Sequence, residues 1–182
     1  MNSSHMNFLQ RLIFKLGKTK VKILLDLEGS IAPSGLIKEG RYRSFNSREY
    51  ATWHVRNNVI EWLRAKRQDK RVELIWSSTW QEYANSILED SGIEPIEWVD
   101  FSSTYQMPDD WYKKDGLKLF MQGKIGPMVI VDNELPERFL TMNNPRILCI
   151  KPESNAGISD LELQKIDDFI NRYRTRKIRL AK

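Results

Sequence analysis

Cysteine is almost absent from this 182-residue chain. Cys149 stands alone, so no intramolecular disulfide and no cysteine-based zinc site can be built. Its place inside the apolar run RILCI makes it a small core hydrophobe rather than a reactive thiol. Long apolar runs are missing too: none approaches the roughly 18–20 residues of a membrane-spanning helix. FLQRLIF, near the start, is too short and too interrupted for a signal-peptide core. A cytoplasmic protein with no membrane contact is expected. There is no internal repeat and no low-complexity tract. What is there, 41% hydrophobic side chains, suffices for one sizeable core. We expect a single domain over residues 21–172, a basic and partly tag-derived segment at 1–20, and a basic tail at 173–182.

Acidic residues are lacking at both ends. Residues 1–22 carry five basic side chains and residues 171–182 carry six, with no acid in either, so the total of +5 leaves residues 23–170 at −6. An acidic body with basic ends suits a polyanion held beside an acidic site. Terminal charge runs are also commonly just solvated.

The informative stretch is VKILLDLEGS at 21–30. An apolar, β-branched run stops at Asp26, and a second carboxylate, Glu28, follows before Gly29 and Ser30. The pattern recurs in PMVIVDNE, which ends at Asp132, while VELIWSS ends in the hydroxyls of Ser77 and Ser78. In open α/β sheets the carboxyl ends of the strands face the ligand crevice, so these ends can meet although far apart in the chain. Two converging carboxylates suggest a hard cation such as Mg²⁺, which takes oxygen ligands and keeps water for a phosphate to displace. Taken singly, each Asp could equally cap the turn that follows it.

Residues 31–46 read as a loop, broken by Pro33, Gly35, Gly40 and Asn46. The spacing of Tyr50, Trp53, Ile60 and Leu63 predicts a helix from Ser47 to about residue 67. His54, between Trp53 and Val55, reads as a surface or core-edge histidine rather than a ligand. Strands are predicted at Val72–Trp76, near Ile96–Val99, and at Met128–Val131 and Arg146–Ile150. Helices are predicted at about 80–90, 115–122 and Pro136–Met142. A capping box, Ser159-Asp160-Leu161-Glu162, opens the last helix. Strands alternating with helices imply an α/β fold with a parallel sheet of about five strands covered on both faces.

Taken together, LLDLEGS, LIWSSTW, the lysines of WYKKDG, and VIVDNE resemble the four motifs of the haloacid dehalogenase (HAD) superfamily of aspartate-dependent phosphohydrolases, in order, over about residues 21–172. WSSTWQEYAN and IKPESNAGISDLELQKIDDFI are more closely similar to the HAD domain of Swiss Army knife RNA repair proteins. The resemblance implies a three-layer, Rossmann-like fold and makes Asp26 the nucleophile of a phosphatase that forms an aspartyl-phosphate. Glu28 stands where the family usually has the Asp that protonates the leaving oxygen and then activates water. Ser77 or Ser78 would bond the transferring phosphoryl group, helped by the backbone around Leu27, Glu28, Gly29 and Ser30. Lys113 or Lys114, and less readily Lys118, would hold Asp26 and the phosphate. Asp132 would bind Mg²⁺ with the Asp26 side chain and the Glu28 carbonyl, while Asn133 or Glu134 acts through a metal-bound water.

About 40 residues separate Ser30 from Val72, which leaves no room for a large cap domain. An open crevice suits a phosphate on a bulky molecule, so RNA or DNA ends, or a nucleotide, are the expected substrates of a monomeric enzyme. Lys38, Arg41, Arg43 and Arg48 suit contact with a nucleic-acid backbone and equally suit a solvated loop. Glu28, one methylene longer than Asp, and Asn133, in place of a second Asp, keep a competing expectation open: a catalytically impaired HAD-like module that binds nucleic acid or protein.

Overall fold

β1 (Val21–Leu25) is buried at all five positions and forms the middle of a five-stranded parallel sheet. β4 (Val72–Trp76) pairs with one side of it, aligning Leu25 with Trp76, and β6 (Met128–Val131) with the other, aligning Leu25 with Val131. The two-residue β5 (Glu97–Trp98) lies outside β4, and β7 (Ile147–Ile150) outside β6. In this computed structural model the described residues are 20–35, 42–47, 51–102, 111–122 and 126–180. The basic segment 1–19 and the loop residues Lys38, Arg41 and Arg48 lie outside them, as do the side chains of the tail from 174 onward.

Alternation along the strands divides the core in two. Val21, Ile23 and Leu25, with Val72, Leu74, Trp76, Val129 and Val131, face one way. There they meet Val59, Ile60 and Leu63 of α1 (Asn57–Gln68), Ile87 and Leu88 of α2 (Ser86–Asp90), and Leu163, Ile166 and Phe169 of α5 (Asp160–Leu180). Leu24, Ile75 and Ile130 face the other way, against Trp111 and Leu117, with Phe139 packed at the edge. Leu117 belongs to α3 (Lys113–Phe120) and Phe139 to α4 (Glu137–Leu140). Burial on both faces is why these strands read as continuous apolar runs. The result is an α/β protein with a helix-flanked parallel sheet, compatible with a Rossmann-like fold. At the start of α5 the capping box closes: the Ser159 amide donates to the Glu162 carboxylate at 2.7 Å, and the Glu162 amide donates to Ser159 Oγ at 3.3 Å. None of the described helices is long and apolar enough to cross a membrane.

One predicted element is wrong. Instead of a helix from Ser47, the chain forms an antiparallel hairpin, β2 (Tyr42–Ser47) and β3 (Ala51–Arg56), and α1 begins only at Asn57. Trp53 and Val55 are buried while Thr52 is exposed, the period of a strand in a stretch rich in aromatic and β-branched residues. Trp53, Ile60 and Leu63 also fit helical spacing, and the shorter period prevailed. β2 begins at Tyr42, inside the predicted loop, which places Arg43 on a strand, exposed.

Asn85, buried at the end of a 3₁₀ turn (Gln81–Asn85), ties β4 to the chain before β5. Its Oδ1 accepts from Trp76 Nε1 and from the Ile96 amide, both at 3.0 Å, and its Nδ2 donates to the Ile96 carbonyl at 3.1 Å. Asn85→Ala would leave three buried polar groups without partners and is expected to cost about 2–4 kcal/mol. Urea unfolding measures this; a loss under about 1 kcal/mol would mean that water replaces the amide.

Candidate active site

The strand order reverses between β1 and β6, the place where ligands bind in open α/β sheets. Asp26, Ser77 and Asp132 are each the first residue beyond their strands. Backbone hydrogen bonds hold them side by side: the Asp26 amide donates to the Val131 carbonyl at 2.9 Å, the Ser77 amide to Leu25 at 2.7 Å, and the Asp132 amide to Ile150 at 3.1 Å.

Lys113, in the first turn of α3 and 1% exposed, joins the two carboxylates. Its Nζ lies 2.7 Å from Asp26 Oδ1 and 2.7 Å from Asp132 Oδ2. An ammonium is rarely buried so completely, because desolvation costs several kcal/mol, and here two opposite charges offset that cost. Burial pushes the Asp26 carboxyl up to about 6, working against the Lys113 ammonium and reinforced by the Asp132 charge. Burial likewise raises Asp132, opposed by Lys113. For Lys113 burial acts downward, but the two carboxylates outweigh it and hold the ammonium protonated well above its usual range. The trio carries a net −1 when fully ionised, which favours a further cation or proton beside it.

The other oxygen of Asp26 faces a polar cluster. Ser30 Oγ donates to Asp26 Oδ2 at 3.3 Å and accepts from the Asn133 amide at 2.9 Å. The side-chain amide of Asn133 lies against Gly29, whose φ is +72°; a Cβ there would stand 2.6 Å from Asn133 Nδ2. Glycine at this position thus both permits the turn and leaves space for the amide. One end of that amide sits 2.8 Å from the Glu28 carbonyl and 3.0 Å from Asp26 Oδ2, and the other sits 2.9 Å from Ser154 Oγ. With Oδ1 inward, this oxygen stands 2.8 Å from the Glu28 carbonyl oxygen and 3.0 Å from Asp26 Oδ2, each close to the roughly 3 Å ligand edge of an octahedral Mg²⁺ with bonds of about 2.1 Å. The donor set of one carboxylate, one peptide carbonyl and one amide fits such an ion. Among the described residues there is no group of three His, Cys, Asp or Glu side chains suited to a metal.

Asp132 is engaged differently from the sequence expectation. One of its oxygens takes the Lys113 ammonium and the other accepts from the Glu134 amide at 2.8 Å, and it is Asn133 that meets Asp26 Oδ2 and the Glu28 carbonyl. Glu28 turns its carbonyl inward and its carboxylate outward, where Oε2 accepts from Trp80 Nε1 at 3.5 Å. Trp80 stacks edge-on against Trp53 of β3, with centroids 4.8 Å apart. The Leu27 amide donates to the Asp26 carboxylate, while the Leu27 carbonyl accepts the Ile31 and Ala32 amides that close the turn.

Two alternatives separate. Ser77 Oγ is buried with no hydrogen-bond partner among the described residues, whereas Ser78 Oγ accepts from the Trp80 amide at 3.4 Å. An orphaned buried hydroxyl costs the fold free energy and can recover it by taking up a partner. Lys113 is at the site, while Lys114 and Lys118 line an apolar groove with Leu117 and Met121. Ser154, which sequence reasoning missed, belongs to a loop reaching the site by its turn: Gly157 has φ +67°, and the Ile158 amide donates to the Ser30 carbonyl at 2.8 Å. Only Gly157 hints in the sequence at a tight turn there. Neither the family models, nor the curated proteins, nor the solved structures compared with this chain gave a match.

Proposed function

We propose that this protein is a capless, Mg²⁺-dependent phosphomonoester hydrolase of the HAD type, acting through an aspartyl-phosphate on a nucleic-acid or nucleotide phosphate. The observation that carries the reading is the Lys113 ammonium at 2.7 Å from both Asp26 and Asp132, beside the unpartnered hydroxyl of Ser77. Lys113 orients Asp26 Oδ1 for attack and lends positive charge to the phosphoryl oxygens. As Asp26 Oδ1 bonds to phosphorus, the bond to the ester oxygen breaks and Glu28 gives that oxygen its proton. Water then attacks phosphorus, Glu28 takes its proton, and the Asp26 carboxylate departs. Ser77 Oγ donates to the phosphoryl group throughout. Asp26, Asn133 and the Glu28 carbonyl would hold Mg²⁺, which when bound neutralises charge on the phosphate.

A second reading, an impaired binding module, draws support from burial: Asp26 is 5% exposed and Ser77 1%. Hydrolysis of p-nitrophenyl phosphate and of end-phosphorylated oligonucleotides, with Mg²⁺ and with EDTA, separates the two. The hydrolase reading expects turnover that EDTA abolishes. An inert wild type alongside an active Glu28→Asp variant would establish the module instead.

A further inference from the structure

The amide of Asn133 satisfies its inner neighbours by hydrogen bonds alone with the nitrogen inward, and with the oxygen inward only when a cation sits among the facing oxygens, while Ser154 Oγ at its outer end can pair with either atom. Resting on the divalent-cation reading above, we propose that this amide turns over on cation binding, oxygen inward with the ion and nitrogen inward without it, and that Ser154 is the partner that permits the exchange.

Without an ion, an inward Oδ1 would set its lone pairs against the Glu28 carbonyl at 2.8 Å and Asp26 Oδ2 at 3.0 Å with no proton between them. An inward Nδ2 converts both contacts into hydrogen bonds. The outer end then presents Oδ1 to Ser154 Oγ, whose hydroxyl donates at 2.9 Å. With an ion the oxygens are attracted to a common charge, and the outward Nδ2 donates to Ser154 Oγ at the same 2.9 Å. A hydroxyl is donor and acceptor alike, so Ser154 satisfies either end. Ser30 behaves in the same way at 3.2 Å from the inward atom, donating to an oxygen or accepting from a nitrogen. Both states therefore keep every polar atom of the amide bonded, and Gly29 leaves the volume in which it turns.

The two placements differ in where the NH₂ protons lie. In the ion-free protein they are directed inward to Asp26 and Glu28; in the loaded protein they face exposed Ser154. Side-chain NMR of ¹⁵N-labelled protein reads this directly, with the Asn133 NH₂ pair assigned by its disappearance in Asn133→Asp. Adding Mg²⁺ is expected to speed solvent exchange of that pair by ~10-fold or more. In Ser154→Asp, which offers acceptors only, the pair should exchange fast even in EDTA. If Mg²⁺ shifts the backbone amides of residues 26–30 yet leaves this exchange rate unchanged, or if Ser154→Asp protects the pair as the wild type does, the inference falls while the metal reading stands. If Mg²⁺ shifts nothing in that loop, the metal reading falls and takes this one with it.

Discussion

Asp26→Asn is expected to lose at least ~1000-fold in phosphatase turnover and, at pH 8 in EDTA, to unfold at the same temperature as the wild type or a higher one. The two outcomes have one cause. The folded chain holds this carboxyl up at about 6, above its unfolded value, so ionisation costs the fold nothing below about pH 4 and its full penalty above pH 6. That penalty is roughly 3 kcal/mol at pH 8, with the attraction of Lys113 already included in its cause. Asparagine keeps the shape and the neutral state, and it gives up the carboxylate that the proposed mechanism uses as nucleophile. Melting curves and p-nitrophenyl phosphate assays on the same sample decide the matter. A variant that retains turnover would remove Asp26 from the chemistry, and one that melts much earlier would show that the carboxylate serves the fold.

Lys113→Met carries the second large effect, and its sign depends on pH. Removing the ammonium leaves two buried carboxylates facing each other, and breaking a buried ionic group in this way costs about 3–5 kcal/mol. Protons can replace the lost charge. Both carboxyls then titrate higher than in the wild type, so the folded variant binds protons that the unfolded chain releases. Its stability should fall as pH rises from 5 to 8. Urea unfolding at the two pH values is expected to reveal most of the loss only at pH 8, with partial recovery in Asp132→Asn/Lys113→Met. Equal losses at both pH values would mean that the methylene stem of Lys113, rather than its charge, is what the core misses.

Much of this arrangement was legible in the chain because it follows from local rules. Strands buried on both faces leave continuous apolar runs, so the stops at Asp26, Ser77 and Asp132 stood out, and their convergence needed only a parallel sheet. The last helix announced itself by its capping box. Decisions that depend on contacts between distant segments were not legible. Lys113 and Lys114 are chemically identical neighbours, and only the packing of α3 sends one ammonium to Asp26 and Asp132. Ser77 and Ser78 differ only in that the second bonds the Trp80 amide. The strand pair after β1 differs from the predicted helix because two periods fit the same apolar residues. Ser154 carries no signal at all, since a lone serine in a turn becomes meaningful only when a glycine bend brings it to Asn133.

Glu28 faces the inward oxygen cluster with its peptide carbonyl and solvent with its carboxylate. The backbone half is immune to side-chain mutation, so this position separates two demands that one carboxylate would otherwise have to reconcile. On the proposed mechanism, lengthening or shortening the side chain retunes proton delivery while the carbonyl that would face the ion stays as it was. If the proposed mechanism holds, a single codon here tunes turnover without touching the oxygens that would hold the ion.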